Sequence, residues 1–111
     1  MKTATGRLRI VGGKVFDGTG ASALVGAEVR VRDGHIEAVG ADLGPADPFA
    51  TVVDATGCTV LPGLIEAHFH PTYFNVAALE DLDIKYPIEY VTLLAAANAR
   101  LALECGYTAA R

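Results

Sequence analysis

Residues 61–70 read Leu-Pro-Gly-Leu-Ile-Glu-Ala-His-Phe-His, and this stretch organises the rest of the chain. The mostly apolar run after Pro-Gly, residues 64–70, is typical of a strand that is buried on both faces. Side chains two apart on a strand point to the same side, so His68 and His70 share a face with Glu66. Two imidazoles at this spacing can bind one metal ion at about 2.0–2.1 Å each. Histidine pairs on an arbitrary strand are more often surface or hydrogen-bonded residues, so the context must decide.

The residues that follow this motif predict a βα unit. A loop over 71–86 leads to the Ala- and Leu-rich run 88–105, which has no internal Gly or Pro and stops at Gly106. Pro87 suits the first helical position. Apolar residues cover most of the circumference of this helix, which predicts partners on more than one side. A strand over 107–110 then completes strand, helix, strand, the unit of a parallel sheet.

The first 63 residues predict a β module. Its clearest element is a hairpin in which 28–32 and 35–39 alternate polar and apolar residues around Asp33-Gly34, a pair that favours a type I′ turn. The alternation assigns the charged members to solvent and the apolar ones to a shared buried face. That buried set is Val29, Val31, Ile36 and Ala38. Shorter strands are expected over 8–11, 14–16, 51–53 and 58–61, with a loop over 40–50.

Composition narrows the possible partners and the compartment. The 111 residues are 51 % hydrophobic and carry a net charge of −4 without any Lys/Arg cluster, which argues against nucleic acid and anionic membranes. The sequence shows neither an apolar leader nor a run of about 20 apolar residues, so the cytoplasm is expected. Two cysteines are too few for a disulfide framework. Cys58 and Cys105 are therefore expected to be small buried hydrophobic side chains.

The chain resembles the amidohydrolase superfamily of metal-dependent hydrolases in several spaced elements. Residues 61–70 resemble the family's PGLID-x-H-x-H element, with Glu66 where Asp is more frequent. The segments that resemble its N-terminal β-sandwich are 13–20, 31–40 and 53–57. Gly-Tyr-Thr-Ala-Ala-Arg at 106–111 resembles the GxTTxRD of the second barrel strand, with Ala109 and Ala110 in place of Thr and Val.

This resemblance implies a β-sandwich domain over 1–63 and, over 64–111, the first βα unit and the second strand of a metal-dependent (β/α)8 barrel. A barrel needs on the order of 200–250 residues, so we expect an incomplete N-terminal portion of an enzyme, without catalytic competence by itself. His68 and His70 are implied as metal ligands, and the complete site is implied to hold one or two divalent ions, usually zinc. The other ligands and the general base are expected downstream, on later strands.

Four other residues are candidates near that metal. Glu66 is expected to hold a ligand in place, with direct ligation as the minor alternative. Tyr73 and Asn75 begin the loop that would line the pocket, and Arg111 ends the second strand, where it could reach a substrate. Solvation of the loop and a salt bridge of the arginine are the alternative roles. His35 lies on the solvent side of the hairpin and is not expected to be a ligand.

The helix and strand over 95–111 look most like the imidazolonepropionase-like and prolidase-like branch. That branch implies cleavage of amide bonds in small cyclic or dipeptide-like substrates by a metal-activated water. Deaminases of nucleobase-like rings share the same N-terminal sequence features and remain an alternative. Two further alternatives are a β binding module with an incidental histidine pair and a non-catalytic scaffold. The expected partners are a small-molecule substrate and the remainder of the chain, a homo-oligomer being left open.

Overall fold

The computed structural model describes residues 6–73, 77–78, 80–81 and 85–111. The chain divides into two compact units, Met1–Pro62 and Gly63–Arg111. Within the described ranges, no helix is both long and apolar enough to cross a membrane.

The first unit consists of short strands in two sheets. The strands are β1 (Arg7–Val11), β2 (Lys14–Val15), β3 (Leu24–Val25), β4 (Glu28–Arg32), β5 (His35–Gly40), β6 (Thr51–Asp54) and β7 (Thr59–Val60). One sheet has the order β5-β4-β1-β6 and the other β3-β2-β7, with the β1–β6 and β2–β7 pairs parallel. Val15 of one sheet and Val29 of the other meet with Ala27 in a small buried core. The predicted β module is confirmed; β3 and the two parallel pairs were not expected.

The hairpin of β4 and β5 forms at the turn that the sequence predicts. Asp33 has φ 49° and Gly34 has φ 80°, the two left-handed residues that a type I′ turn requires. Asp33 is the only residue other than glycine with a positive φ among those described. The predicted turn at Asp33-Gly34 is therefore confirmed.

A β-bulge changes which side chains of this hairpin share a face. Arg30 pairs with Ala38 but Val31 pairs with Ile36, so Glu37 is an extra residue without a partner in the ladder. An extra residue shifts the alternation by one, which places Ala38 opposite an arginine instead of beside the valines. The predicted buried set is wrong for Ala38. It is also wrong for Ile36, which remains 68 % exposed.

Charged side chains on the polar face of β1 and β4 bind one another and the loop that follows β5. The carboxylate of Glu28 accepts hydrogen bonds from Arg9 Nε and Nη2, at 2.9 and 2.7 Å, and from Arg30 Nε. Arg30 also donates to the carbonyl oxygens of Leu43 and Gly44, each at 2.9 Å. The hydrogen bonds from Arg9 and then Arg30 lower the pKa of Glu28 from 4.5 to about 2. These bonds favour the ionised carboxylate.

We expect this carboxylate to make the stability of the first unit depend on acid. Since the pKa of Glu28 is lower in the folded state, its stabilisation is complete above its usual value of 4.5 and is lost as the pH falls toward about 2. As the pH is lowered from about 5 to about 2.5, the urea concentration at the midpoint of unfolding should fall less for Glu28→Gln than for the wild type. Glu37→Gln is the matched control, because the pair of Glu37 with Arg32 is exposed and such pairs contribute little. Parallel curves for the wild type and Glu28→Gln would contradict this assignment.

The second unit is the predicted βαβ arrangement. It contains β8 (Leu64–Glu66), α1 (Ile88–Glu104) and β9 (Tyr107–Ala110), and β8 pairs with β9 in parallel. Pro87 has an extended backbone and is the N-cap of α1, not its first helical residue as expected. Gly106 has φ 94°, the left-handed conformation that ends many helices.

Both cysteines differ from expectation. Cys58 and Cys105 are free thiols, and both are exposed. Cys58 follows a turn just before β7, and Cys105 is the C-terminal cap of α1, so neither lies within an element that packs against the core. The prediction that they are buried hydrophobic side chains is therefore wrong.

Candidate metal-binding site

The two histidines lie just beyond β8 and not within it. The sequence predicts a strand over 64–70, but β8 ends at Glu66, and 67–70 has irregular structure. Pairing with the end of β9 continues through one residue, because Arg111 N–H donates to Glu66 O at 3.0 Å and Phe69 N–H donates to Arg111 O at 2.8 Å. The segment that carries the histidines is thus anchored at Phe69 without being a regular strand.

The side chains of His68 and His70 nevertheless converge. Their Nε2 atoms are 2.6 Å apart, and the ring centroids are separated by 4.6 Å. Two nitrogen ligands of a tetrahedral ion, each at about 2.0–2.1 Å, would be about 3.3 Å apart. The two rings therefore need to separate by only about 0.7 Å to share an ion. Both side chains are exposed, so an ion could reach the Nε2 atoms.

The donor set fits part of a divalent metal site. Two imidazole nitrogens suit zinc and related ions. Over 6–73, 77–78, 80–81 and 85–111, no group of three or more His, Cys, Asp or Glu could hold a metal. The structure thus brings together the two residues that the sequence singled out, and their role as ligands stays a prediction.

Glu66 contacts the backbone beside the histidine rings. Its Oε1 atom accepts the backbone N–H of His68 at 3.3 Å, and its side chain is half-buried. This contact restrains the backbone of His68 and suits a residue that holds a ligand in place. The backbone of Arg111 pairs with the same segment, and its side chain is exposed, without an ion pair to any residue that the structure describes.

Tyr73 packs directly on His70. The two rings are stacked, with centroids 4.3 Å apart and planes 11° from parallel. Tyr73 N–H donates to His70 O at 3.0 Å, which closes a turn with Pro71 at its second position, where proline is favoured. The stacked phenol restricts rotation of the imidazole. Asn75, the other loop candidate, lies outside the described residues.

Sequence reasoning missed Asn98 of α1. Its Nδ2 donates to the carbonyl oxygen of Pro71 at 2.6 Å, so it contacts the turn that follows the histidines. Asn98, Glu66, His70 and Tyr73 border a cavity of about 460 Å³ whose remaining walls are largely apolar. That volume lies in the range of small-molecule sites. A polar residue in the middle of an alanine-rich helix was the signal that could have identified it.

Three curated proteins with similar sequences match between 40 % and 70 % of the chain. A dihydroorotase of Syntrophotalea carbinolica is 39 % identical over 80 residues, 70 % of this chain and 16 % of that protein. An allantoinase of Bacillus licheniformis is 49 % identical over 45 residues, 40 % of this chain and 9 % of that protein. An adenine deaminase of Paracoccus denitrificans is 37 % identical over 75 residues, 63 % of this chain and 13 % of that protein. No protein-family model matches the chain.

Solved structures match nearly the whole chain. An amidohydrolase superposes with a TM-score of 0.80 and 30 % identity, over 95 % of this chain and 25 % of that one. A prolidase complexed with N-methylphosphonate-L-proline superposes with a TM-score of 0.79 and 26 % identity, again over 95 % and 25 % of the two chains. The chain thus spans about a quarter of the solved structures it matches, and its matched segments span less than a fifth of these curated relatives.

Proposed function

The chain is similar in sequence and in fold to hydrolases of the amidohydrolase superfamily that act on C–N bonds, and from this premise we propose its function. We propose that it is the N-terminal portion of an enzyme that hydrolyses amide bonds in small cyclic or dipeptide-like substrates. His68 and His70 would supply two of the ligands of a divalent metal, for which we propose zinc. The observation that carries this proposal is the convergence of the two Nε2 atoms, together with the cavity of about 460 Å³ that His70 borders.

The residues of the chain contribute binding and orientation to this chemistry. When bound, a divalent metal makes water a better nucleophile and polarises the scissile carbonyl. His68 and His70 would supply two of its ligands, Glu66 restrains the backbone of His68, and Tyr73 restrains the ring of His70. The remaining ligands and the general base would come from residues after 111, on further strands of a barrel.

The similar proteins support amides of modest size as the substrate class. One structural neighbour is a prolidase that binds a proline derivative, which favours a dipeptide-like substrate. Among the curated relatives are an allantoinase and a dihydroorotase, which favour cyclic amides. The similarity to an adenine deaminase supports a second candidate, deamination of a nucleobase-like ring. The two reactions differ in product, because only deamination releases ammonia.

The test is turnover by the full-length protein that contains these residues. The zinc-loaded protein would be assayed with Xaa-Pro dipeptides, cyclic ureides and adenine, and each product would be identified by chromatography together with an ammonia assay. We expect amide cleavage that chelation abolishes and zinc restores. Ammonia from adenine without amide cleavage would favour the deaminase. Failure of the full-length protein to bind zinc would favour a binding module. Residues 1–111 alone should show no more activity than their double variant His68→Ala, His70→Ala.

A further inference from the structure

Asn98 lies on the inward face of α1. Among the described residues, the helix positions that are buried or half-buried on this face recur every three or four residues, as for a helix that packs on one side. These positions are Val91, Leu94, Ala95, Asn98 and Ala102. Asn98 is the one polar member of this stripe, and alanines precede and follow it in the sequence. The stripe alone would favour an apolar residue at 98.

An asparagine at such a position needs a specific partner. Asparagine is a weaker helix former than alanine, because its side chain competes for backbone hydrogen bonds. Burying its amide without a hydrogen bond is unfavourable as well. The bond from Nδ2 to Pro71 O, at 2.6 Å, satisfies this requirement and spans 27 positions of the sequence. The contact therefore joins the middle of α1 to the residue directly after His70.

The turn that Asn98 contacts has two further local restraints. Proline fixes φ at Pro71, and the bond from Tyr73 N–H to His70 O closes the turn. The ring of Tyr73 stacks on that of His70. A displacement of Pro71 would therefore move both the backbone of His70 and the ring that packs on it.

We propose that Asn98 is a positioning residue for the histidine pair. Glu66 anchors His68 through its backbone N–H, and Asn98 anchors His70 through the carbonyl of Pro71. Each of the two histidines thus has its own anchor, and the two anchors come from different elements of the unit. The inference rests on the proposed function, because it assigns Asn98 to the geometry of that metal site. Residues that orient metal ligands typically change metal affinity by 10–100-fold when they are replaced.

The experiment measures Co²⁺ binding to the full-length protein by competition with a chromophoric chelator, together with the visible spectrum of the bound cobalt. Asn98→Ala removes the anchor, and Asn98→Asp replaces the donor with an acceptor of nearly equal size. Both should weaken Co²⁺ binding by about 10–100-fold and shift the cobalt bands. The matched control is Thr92→Ala, since Thr92 Oγ1 also donates to a carbonyl oxygen, that of Ile88, but within α1. It should leave affinity and spectrum unchanged.

The outcomes separate this inference from the proposed function. Unchanged Co²⁺ affinity and spectrum in both Asn98 variants would overturn the inference alone. If circular dichroism shows that both metal-free variants are unfolded, Asn98 contributes to the stability of the fold, and the inference would be overturned as well. A wild type that binds Co²⁺ tightly but cleaves no amide would overturn the proposed function alone. A wild type that binds no Co²⁺ would overturn both.

Discussion

Alanine at His68 or at His70 should remove the metal and nearly all activity from the full-length protein. Both Nε2 atoms point to one place, so each substitution deletes one of two converging donors. A lost ligand should cost more than the 10–100-fold that is typical when only an orienting residue is replaced. The measurements are metal content by elemental analysis and kcat/KM on the amide substrate that the assay identifies.

Two milder substitutions make this prediction specific. Glu66→Gln keeps an oxygen that can accept the backbone N–H of His68, so it should retain the metal. It removes the charge of the carboxylate, so the activity should fall by about 10–100-fold. His35→Ala changes an exposed residue of the β4–β5 hairpin and should have no effect on either measurement. Full metal content in both the His68→Ala and His70→Ala proteins would show that the two rings are not ligands.

The fold could be predicted from the sequence where its determinants are local. The turn at Asp33-Gly34 depends on two adjacent residues, and the end of α1 depends on Gly106, so both were predicted correctly. The bulge at Glu37 could not be predicted. The sequence of a bulged strand alternates polar and apolar residues like that of a regular strand, and the extra residue shows only when the pairing with the neighbouring strand is known. The parallel pairs β1–β6 and β2–β7 join distant segments, and no local signal specifies them.

The candidate site shows the same division. His68 and His70 were found because two residues of metal-binding type stand close together in a distinctive sequence. Their rings converge although β8 ends at Glu66 and 67–70 is irregular, so the convergence does not require the strand that was predicted for them. The contact of Asn98 with that turn depends on how α1 packs, which the sequence alone does not specify.

Residues 1–111 alone should self-associate, because the second unit exposes large apolar side chains. Ile65 of β8 is 73 % exposed, and on α1 Leu93 and Leu103 are 72 % and 62 % exposed. The stripe that contains Val91 faces inward, so these leucines belong to other faces of the helix, as its apolar circumference predicted. Contiguous apolar surface beyond a few hundred Å² favours association. Among the residues that the structure describes, the pair β8–β9 also leaves two strand edges open, and open edges favour pairing between chains.

Sedimentation velocity over a range of protein concentrations measures this association. We expect species larger than a monomer and a broad thermal transition for residues 1–111. The double variant Leu93→Gln, Leu103→Gln should shift the distribution toward monomer, because it replaces exposed apolar side chains with polar ones of similar size and comparable helix propensity. Lys85→Gln, a change at an exposed polar residue, should not. A monomeric wild type with a sharp thermal transition would mean that the leucines of α1 need no cover, and the argument from exposed surface would then be wrong.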